Sequence, residues 1–188
     1  AVVLTATDGN GEIGTQSFTL TVTNTNDAPT VANAISDQTI AEDSALSFQF
    51  ASDVFSDVDA GDSLTYAATL ADGSTLPSWL SFDASSRTFS GTPSNGDVGA
   101  IDVKVTATDG SSATATDTFT LTVTNTNDAP TVTSSEMMSV DEDVAYSYTF
   151  VASDVDVGDT LTLAAPTKPS WLSFNTATGV LSGTPSND

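Results

Sequence analysis

The sequence predicts an all-β protein built from tandem β-sandwich repeats. Short segments alternate apolar residues with threonine, which is typical of half-buried strands. One such segment, Phe18–Pro29, returns unchanged as Phe119–Pro130, which is 101 positions later (119 minus 18). That spacing is the size of one small domain. Each copy ends in Asn-Thr-Asn-Asp-Ala-Pro, where polar side chains and proline favour a connection over a strand. We therefore interpret each copy as a last strand followed by a linker.

Residues 26–125 are expected to form one complete repeat. About seven short strands within ~100 residues, without helical periodicity, indicate an immunoglobulin-like Greek-key sandwich. Turn signals such as Asp72-Gly73 separate the strands. The predicted strands are Thr39–Ile40, Ala45–Phe50, Ser63–Leu70, Trp79–Phe82, Arg87–Ser90, Ile101–Thr108 and Ala115–Thr124.

Partial repeats are predicted on either side of this complete one. Residues 1–25 match the last two strands of a repeat, with a hairpin turn at Asn10-Gly11 and a strand at Phe18–Val22. Residues 126–188 match the first part of a repeat and lack the final two strands. We expect either that the chain is a segment of a longer tandem array, or that residues 1–25 of one copy complete residues 126–188 of a neighbour head to tail.

Composition excludes several functions. The formal net charge is −22, from 25 acidic and three basic residues. A nucleic acid or an anionic membrane surface would need a basic face, which this composition cannot supply. The chain has no cysteine and no histidine, so disulfides, Cys/His zinc sites and a Ser-His-Asp triad are excluded. We predict no catalytic residues and no enzymatic activity.

Clustered acids recur in register and predict calcium. Calcium takes about six to eight oxygen ligands, from carboxylates, carbonyls and amides, and magnesium demands tighter geometry. Two aspartates separated by one residue on extended chain point the same way and can share one ion. The alternative is a solvated acidic loop in which aspartate forms turns. The recurring acids and amides are Asn26-Asp27, Glu42, Asp57-Val-Asp59, Asp62 and Asp109, then Asn127-Asp128, Glu142, Asp154-Val-Asp156 and Asp159.

These motifs together resemble the cadherin superfamily, specifically the dystroglycan-type cadherin-like repeats of large bacterial surface adhesins. The matches include Asn26-Asp27-Ala-Pro29 for the linker, Asp57-Val-Asp59, and Thr106-Ala-Thr-Asp109. Trp79-Leu-Ser-Phe82 and Ser90-Gly-Thr-Pro93 are similar to the bacterial branch. The Leu-Asp-Arg-Glu motif of animal cadherins is missing, and Asp97 is the nearest acid, which leaves the number of ions per junction open.

The resemblance implies calcium at the junctions between repeats. The first junction would use Asn26, Asp27, Asp57, Asp59 and Asp109. The second would use Glu42 from the preceding repeat with Asn127, Asp128, Asp154 and Asp156. Asp62 and Asp159 are equally compatible with ligands and with turn residues.

We expect a calcium-rigidified repeat module of a large bacterial extracellular adhesin or surface fibre. Its partners would be neighbouring repeats of the same chain or of like chains. Two alternatives remain: a self-assembling filament completed by a neighbour's strands, and a module that binds extracellular polysaccharide. The tryptophans Trp79 and Trp171 are predicted to be buried core residues rather than a sugar platform.

Overall fold

The computed structural model describes residues 1–59 and 61–187, and its regular structure is almost entirely β. The strands are β1 (Val2–Thr7), β2 (Ile13–Phe18), β3 (Thr30–Val31), β4 (Gln38–Ala41), β5 (Leu46–Gln49), β6 (Phe55–Ser56), β7 (Thr65–Leu70), β8 (Leu80–Asp83), β9 (Thr88–Gly91), β10 (Gly99–Thr108), β11 (Thr114–Thr124), β12 (Thr131–Val132), β13 (Tyr146–Thr149), β14 (Ala152–Ser153), β15 (Leu172–Asn175) and β16 (Val180–Gly183). A single 3-10 turn at Asn95–Asp97 is the one helical element among the described residues.

Strands β3 to β11 form a β-sandwich, which we call the central repeat. One sheet has the strand order β4-β11-β10-β7 and the other has the order β5-β9-β8. The two-residue strands β3 and β6 pair with each other in a separate two-stranded sheet. Side chains from both sheets meet in one apolar core, which includes Leu46, Phe89, Val103 and Phe119. The predicted all-β sandwich class is therefore confirmed.

The long hairpin β10–β11 shows how the alternating sequence builds this core. The two strands pair antiparallel from Gly99 opposite Val123 to Thr108 opposite Thr114. Val103, Val105 and Ala107 are fully buried. The residues between them point to the other face, because successive side chains of a strand alternate. The threonines of the pattern therefore lie on the outer face.

The predicted strand bounds agree with the structure to within two residues across the central repeat. The sequence predicts about seven strands, whereas the described residues of the central repeat contain nine. The two that were missed, β3 and β6, have only two residues each. Two residues are too short for an alternating pattern, so only the paired backbone defines them.

The hairpin β1–β2 differs from its central equivalent. Val2 pairs with Phe18, and strand β2 ends there, so the strand predicted at Phe18–Val22 is wrong beyond Phe18. In the central repeat, residues 120–123 pair with residues 99–102 and in part with β4. Residues 19–22 have no equivalent partner strand within the described chain. A strand needs such a partner for its backbone hydrogen bonds.

Residues 126–187 repeat the first half of this architecture. Strand β12 pairs with β14, and a three-stranded sheet has the order β13-β16-β15. Trp171 is half-buried and packs edge to face on Tyr146 at 6.1 Å, while half-buried Trp79 packs against the central core. Residue 188, the end of the third predicted segment, lies outside the described residues. Within the described residues, no helix is long and apolar enough to cross a membrane.

Candidate metal centre

Three carboxylates converge in the loop after β6. Asp57, Asp59 and Asp62 each place one oxygen within 4.8 Å of the others. The backbone N–H of Asp59 donates to Asp57 Oδ1 over 2.9 Å, which fixes the Asp-x-Asp turn. Asp57 Oδ2 is buried and has no hydrogen-bond partner among the residues that the structure describes. A buried oxygen that bears negative charge is costly unless a donor or cation meets it.

The linker before the central repeat is tied to this loop through Asp59. The backbone N–H of Asp27 donates to Asp59 Oδ2 over 2.7 Å, and the amide of Asn24 donates to Asp59 Oδ1 over 2.7 Å. Asn26 donates to Asp109 Oδ2 over 3.0 Å. Amides of the linker therefore stabilise these carboxylates by hydrogen bonding, and Asn26 links Asp109 to the same junction.

The electrostatics of the first junction differ between its acids. Asp109 accepts hydrogen bonds from Asn26 and from the backbone N–H groups of Ser111 and Ala113, and these bonds lower its pKa below the usual value of 3.8. Loss of solvent raises the pKa of Asp62, and the neighbouring carboxylates, Asp57 first, raise it further. A cation bound beside these carboxylates would therefore favour the charged form of Asp62.

The second junction brings together acids from both sides of a linker. Glu42 of the central repeat lies with Asp128 and Asp156 of the following segment, and one oxygen of each falls within 4.8 Å of the others. Only 1% of Glu42 is exposed. The backbone N–H of Thr126 donates to Glu42 Oε1 over 2.9 Å, but Glu42 Oε2 is buried and has no hydrogen-bond partner within the described part of the chain.

The second linker repeats the contacts of the first. The backbone N–H of Asp128 donates to Asp156 Oδ2 over 2.7 Å, and the N–H of Asp156 donates to Asp154 Oδ1 over 3.0 Å. Asp154, Asp156 and Asp159 form a further group within 4.8 Å. Loss of solvent raises the pKa of Asp128, and the charges of Asp156, Asp43 and Glu42 add to the rise.

The donor set fits a hard divalent cation. The converging carboxylates of Asp and Glu offer oxygen ligands, which calcium prefers and softer metals do not. Two buried carboxylate oxygens, on Glu42 and Asp57, have no donor among residues 1–59 and 61–187 to offset their charge. A cation bound at each junction would coordinate the unpartnered oxygen there and would reduce the repulsion between the neighbouring carboxylates.

The structure brings the ten predicted ligands to the two junctions through different contacts. Asp57 and Asp59 converge at the first junction, and Glu42, Asp128 and Asp156 converge at the second, where Asp154 adjoins them. Asp109 joins the first junction through Asn26. Asp27 takes part through its backbone N–H, and Asn26 and Asn127 also donate to the backbone carbonyl oxygens of Asp27 and Asp128. Their roles as metal ligands stay predictions.

Sequence reasoning missed two amides of the junctions, Asn24 and Asn95. Asn24 binds Asp59, and Asn95 donates to Asp156 over 3.1 Å. A signal for Asn24 was present, because Asn24-Thr-Asn26 recurs as Asn125-Thr-Asn127. Asp62, left undecided, lies within the first group of acids, and Asp159 lies beside the second.

Comparison with known proteins agrees with this architecture. A family model described as "Putative Ig domain" matches residues 28–124 and again residues 129–188. The chain belongs to this Ig-domain family. The two matches follow each other along the chain, as expected for tandem repeats. No curated protein sequence is significantly similar to the chain.

Solved structures similar to this Ig-domain chain include cadherin repeats. They are PcdhgB3 EC1-4 (20% identity, 97% of this chain, 47% of that one, TM-score 0.60), human CDH23 EC21-23 (18%, 99%, 64%, 0.54) and the protocadherin GammaB4 extracellular domain (23%, 98%, 33%, 0.52). This chain thus spans less than two thirds of each. At these identities the likeness shows the fold alone, which is the cadherin-like sandwich that the motifs predicted.

Proposed function

We propose that this chain is a calcium-rigidified structural repeat of an extracellular protein, of the kind that forms the stalk of a bacterial adhesin or surface fibre. The observation that carries the proposal is the buried, unpartnered Glu42 Oε2, which lies beside Asp128 and Asp156 across a linker. A cation there would bond to residues on both sides of the linker. The junction would then resist bending.

Three further observations support the proposal. Both linkers make the same backbone contact. The N–H of Asp27 in the first linker and of Asp128 in the second each donates, over 2.7 Å, to the second aspartate of the following Asp-x-Asp motif. The net charge of −22 opposes compaction and would be partly neutralised by bound cations. The similar protocadherin structure is that of an extracellular domain, which favours an extracellular setting.

Calcium removal tests the proposal. We expect millimolar calcium to raise the melting temperature of the chain and to narrow its distribution of shapes in small-angle scattering, relative to excess chelator. Calcium at 100 times its Kd stabilises a native-state site by about 2.7 kcal/mol. Magnesium at equal concentration is the control and should give a smaller shift. Equal melting temperatures and scattering in calcium and in chelator would refute calcium rigidification.

We propose as a second candidate that copies of this chain associate head to tail. Phe18 is 45% exposed and Leu20 is 70% exposed, whereas their equivalents Phe119 and Leu121 are nearly fully buried. Residues 126–187 contain a small apolar cavity. Its lining is Tyr148, Phe150, Ala164, Ala165, Phe174 and Leu181.

The internal precedent defines the contact that such association would make. Phe119 packs against Phe48 at 5.7 Å and Phe89 at 5.5 Å. The equivalents of Phe48 and Phe89 in the last segment are Tyr148 and Leu181, and both line the cavity. A neighbour's Phe18 would take the place of Phe119 there.

Sedimentation velocity over a range of concentrations tests the second candidate. We expect a concentration-dependent larger species that Phe18→Asp abolishes. Ser17→Asp is the matched control, because Ser17 lies on the opposite face of the same strand. A monomer at all concentrations would exclude this association and would leave the calcium proposal unaffected.

A further inference from the structure

The loop after β9 reaches across the second junction through one amide. Asn95 lies at the start of the 3-10 turn Asn95–Asp97 and is half-buried. Its Nδ2 donates to Asp156 Oδ1 over 3.1 Å, and Asp156 belongs to the following segment. A side chain of the central repeat thus binds the second Asp-x-Asp motif directly through a hydrogen bond.

The acid nearest to Asn95 is occupied within its own turn. Asp97 Oδ2 accepts from the backbone N–H of Ser94 over 2.9 Å and from its hydroxyl over 2.7 Å. These two hydrogen bonds lower the pKa of Asp97 and close the turn. The consequence is that Asp97 shapes the turn and Asn95 is the residue that the turn presents to the junction.

The first junction gives an internal comparison. There Asp59 Oδ1 accepts from Asn24 over 2.7 Å. The sequence equivalent of Asn24 is Asn125 (24 plus 101). At the second junction Asn95, not Asn125, donates to Asp156 Oδ1, and Asn125 Oδ1 lies 3.5 Å from the Asn95 amide. Asn95 therefore takes the position that the linker amide fills at the first junction.

We infer that Asn95 is a positioning residue of the second junction. It holds the Asp156 carboxylate beside Glu42 and Asp128, and it orders the central repeat against the following segment before any cation binds. Asp156 is 6% exposed and also accepts the Asp128 N–H on its other oxygen, so both of its oxygens are held. A pre-aimed ligand loses less conformational entropy on binding an ion, which raises affinity.

The part of this inference that concerns ion affinity rests on the proposed calcium function, but the ordering without ions does not. The experiment uses the full chain with Ala84→Cys and Thr176→Cys, two exposed and equivalent turn positions. Because the chain has no other cysteine, spin labels attach only there. Double electron–electron resonance then reports the distance between the two segments, first in chelator and then with calcium.

We expect Asn95→Ala to broaden the distance distribution in chelator, because the direct contact with Asp156 is lost. It should also weaken calcium binding at one class of site about tenfold in calorimetry, because the Asp156 ligand is no longer positioned in advance. Asn95→Asp keeps the shape but removes the donor, so it should broaden the distribution as well. Asn187→Ala, the exposed equivalent in the second copy, is the matched control and should change neither readout.

The outcomes distinguish the positioning role of Asn95 from the proposed calcium function. If Asn95→Ala and Asn95→Asp both keep the narrow distribution of the parent chain in chelator, Asn95 does not order the junction and the inference is overturned. If only Asn95→Ala broadens it, the side chain acts by filling space, which also overturns the inference. If the parent chain binds no calcium while both variants broaden the distribution, the proposed function fails and the positioning role stands.

Discussion

The central repeat and the partial copies on either side of it carry the same motifs in different surroundings. Phe119 is 2% exposed, whereas its copy Phe18 is 45% exposed. Glu42 is almost fully buried beside a linker, whereas its copy Glu142 is exposed. Identical or equivalent residues are therefore buried in one copy and exposed in another, depending on which segments pack against them.

The largest difference in unfolding free energy is expected between the alanine variants of Phe119 and Phe18. Phe119→Ala leaves a cavity between Phe48 and Phe89 and should cost about 3–5 kcal/mol of unfolding free energy. Phe18→Ala should change stability by less than about 0.5 kcal/mol, as is usual for exposed positions. Chemical denaturation at low protein concentration measures both. Equal losses would mean that the two hairpins are buried alike in solution.

The sequence was sufficient for the sandwich because its core depends on a local pattern. The alternation that buries Val103, Val105 and Ala107 is visible within the strand itself. The same alternation occurs in residues 18–22, yet no strand forms there past Phe18. Pairing partners lie far along the chain, so periodicity alone could not distinguish these two cases.

The acidic sites were predictable for a similar reason, and only in part. Asp-x-Asp spacing is local, so Asp57 with Asp59 and Asp154 with Asp156 could be grouped from the sequence. The contact from Asn95 to Asp156 spans 61 positions and depends on how one repeat meets the next. No short motif contains that information.

The second difference concerns the two glutamates. Glu42→Gln keeps the oxygen that accepts from Thr126 and removes the charge of the unpartnered Oε2. In chelator it should raise stability by about 1–3 kcal/mol, the cost of a buried unsatisfied polar group. In calcium it should lose part of the calcium-dependent rise in melting temperature, because a bridging ligand is gone.

Glu142→Gln is the matched control for this prediction. Glu142 is exposed, so its neutralisation should alter neither the chelator stability nor the calcium response. Thermal melts of the three proteins in calcium and in chelator give the comparison. A calcium response that survives intact in Glu42→Gln would place the ion elsewhere.

A smaller difference is expected between the two Asp-x-Asp loops. In both loops the first aspartate accepts a hydrogen bond from the backbone N–H of the second. In the first loop, however, Asp57 Oδ2 is buried and has no hydrogen-bond partner among the described residues. Asp57→Asn should therefore stabilise the protein in chelator by about 1 kcal/mol more than Asp154→Asn does. Urea titrations in chelator measure the two variants side by side. Equal changes in stability for the two variants would show that Asp57 Oδ2 has a hydrogen-bond partner in solution.

The smallest effect, and the one most specific to the junctions, is the dependence on pH. The folded chain raises the pKa of Asp128 and of Asp62 above the usual 3.8, chiefly by loss of solvent and then by neighbouring carboxylates. In chelator the native state therefore binds these protons before the unfolded chain does. Stability should rise as pH falls from 7 through the raised values, until the unfolded carboxyls also titrate near 3.8.

Calcium should reverse the sign of this slope, because protons compete with the ion for the same oxygens. Below 3.8 the stability supplied by Asp109, whose pKa is lowered by its hydrogen bonds, is lost in both conditions. Asp128→Asn should flatten the slope in chelator, whereas Asp27→Asn, at the equivalent but exposed linker position, isolates the effect of removing one charge. Melting temperatures from pH 7 to 4 measure these slopes. Slopes of the same sign with calcium and with chelator would mean that the ion does not bind these carboxylates, and the buried oxygens of Glu42 and Asp57 would then need another partner.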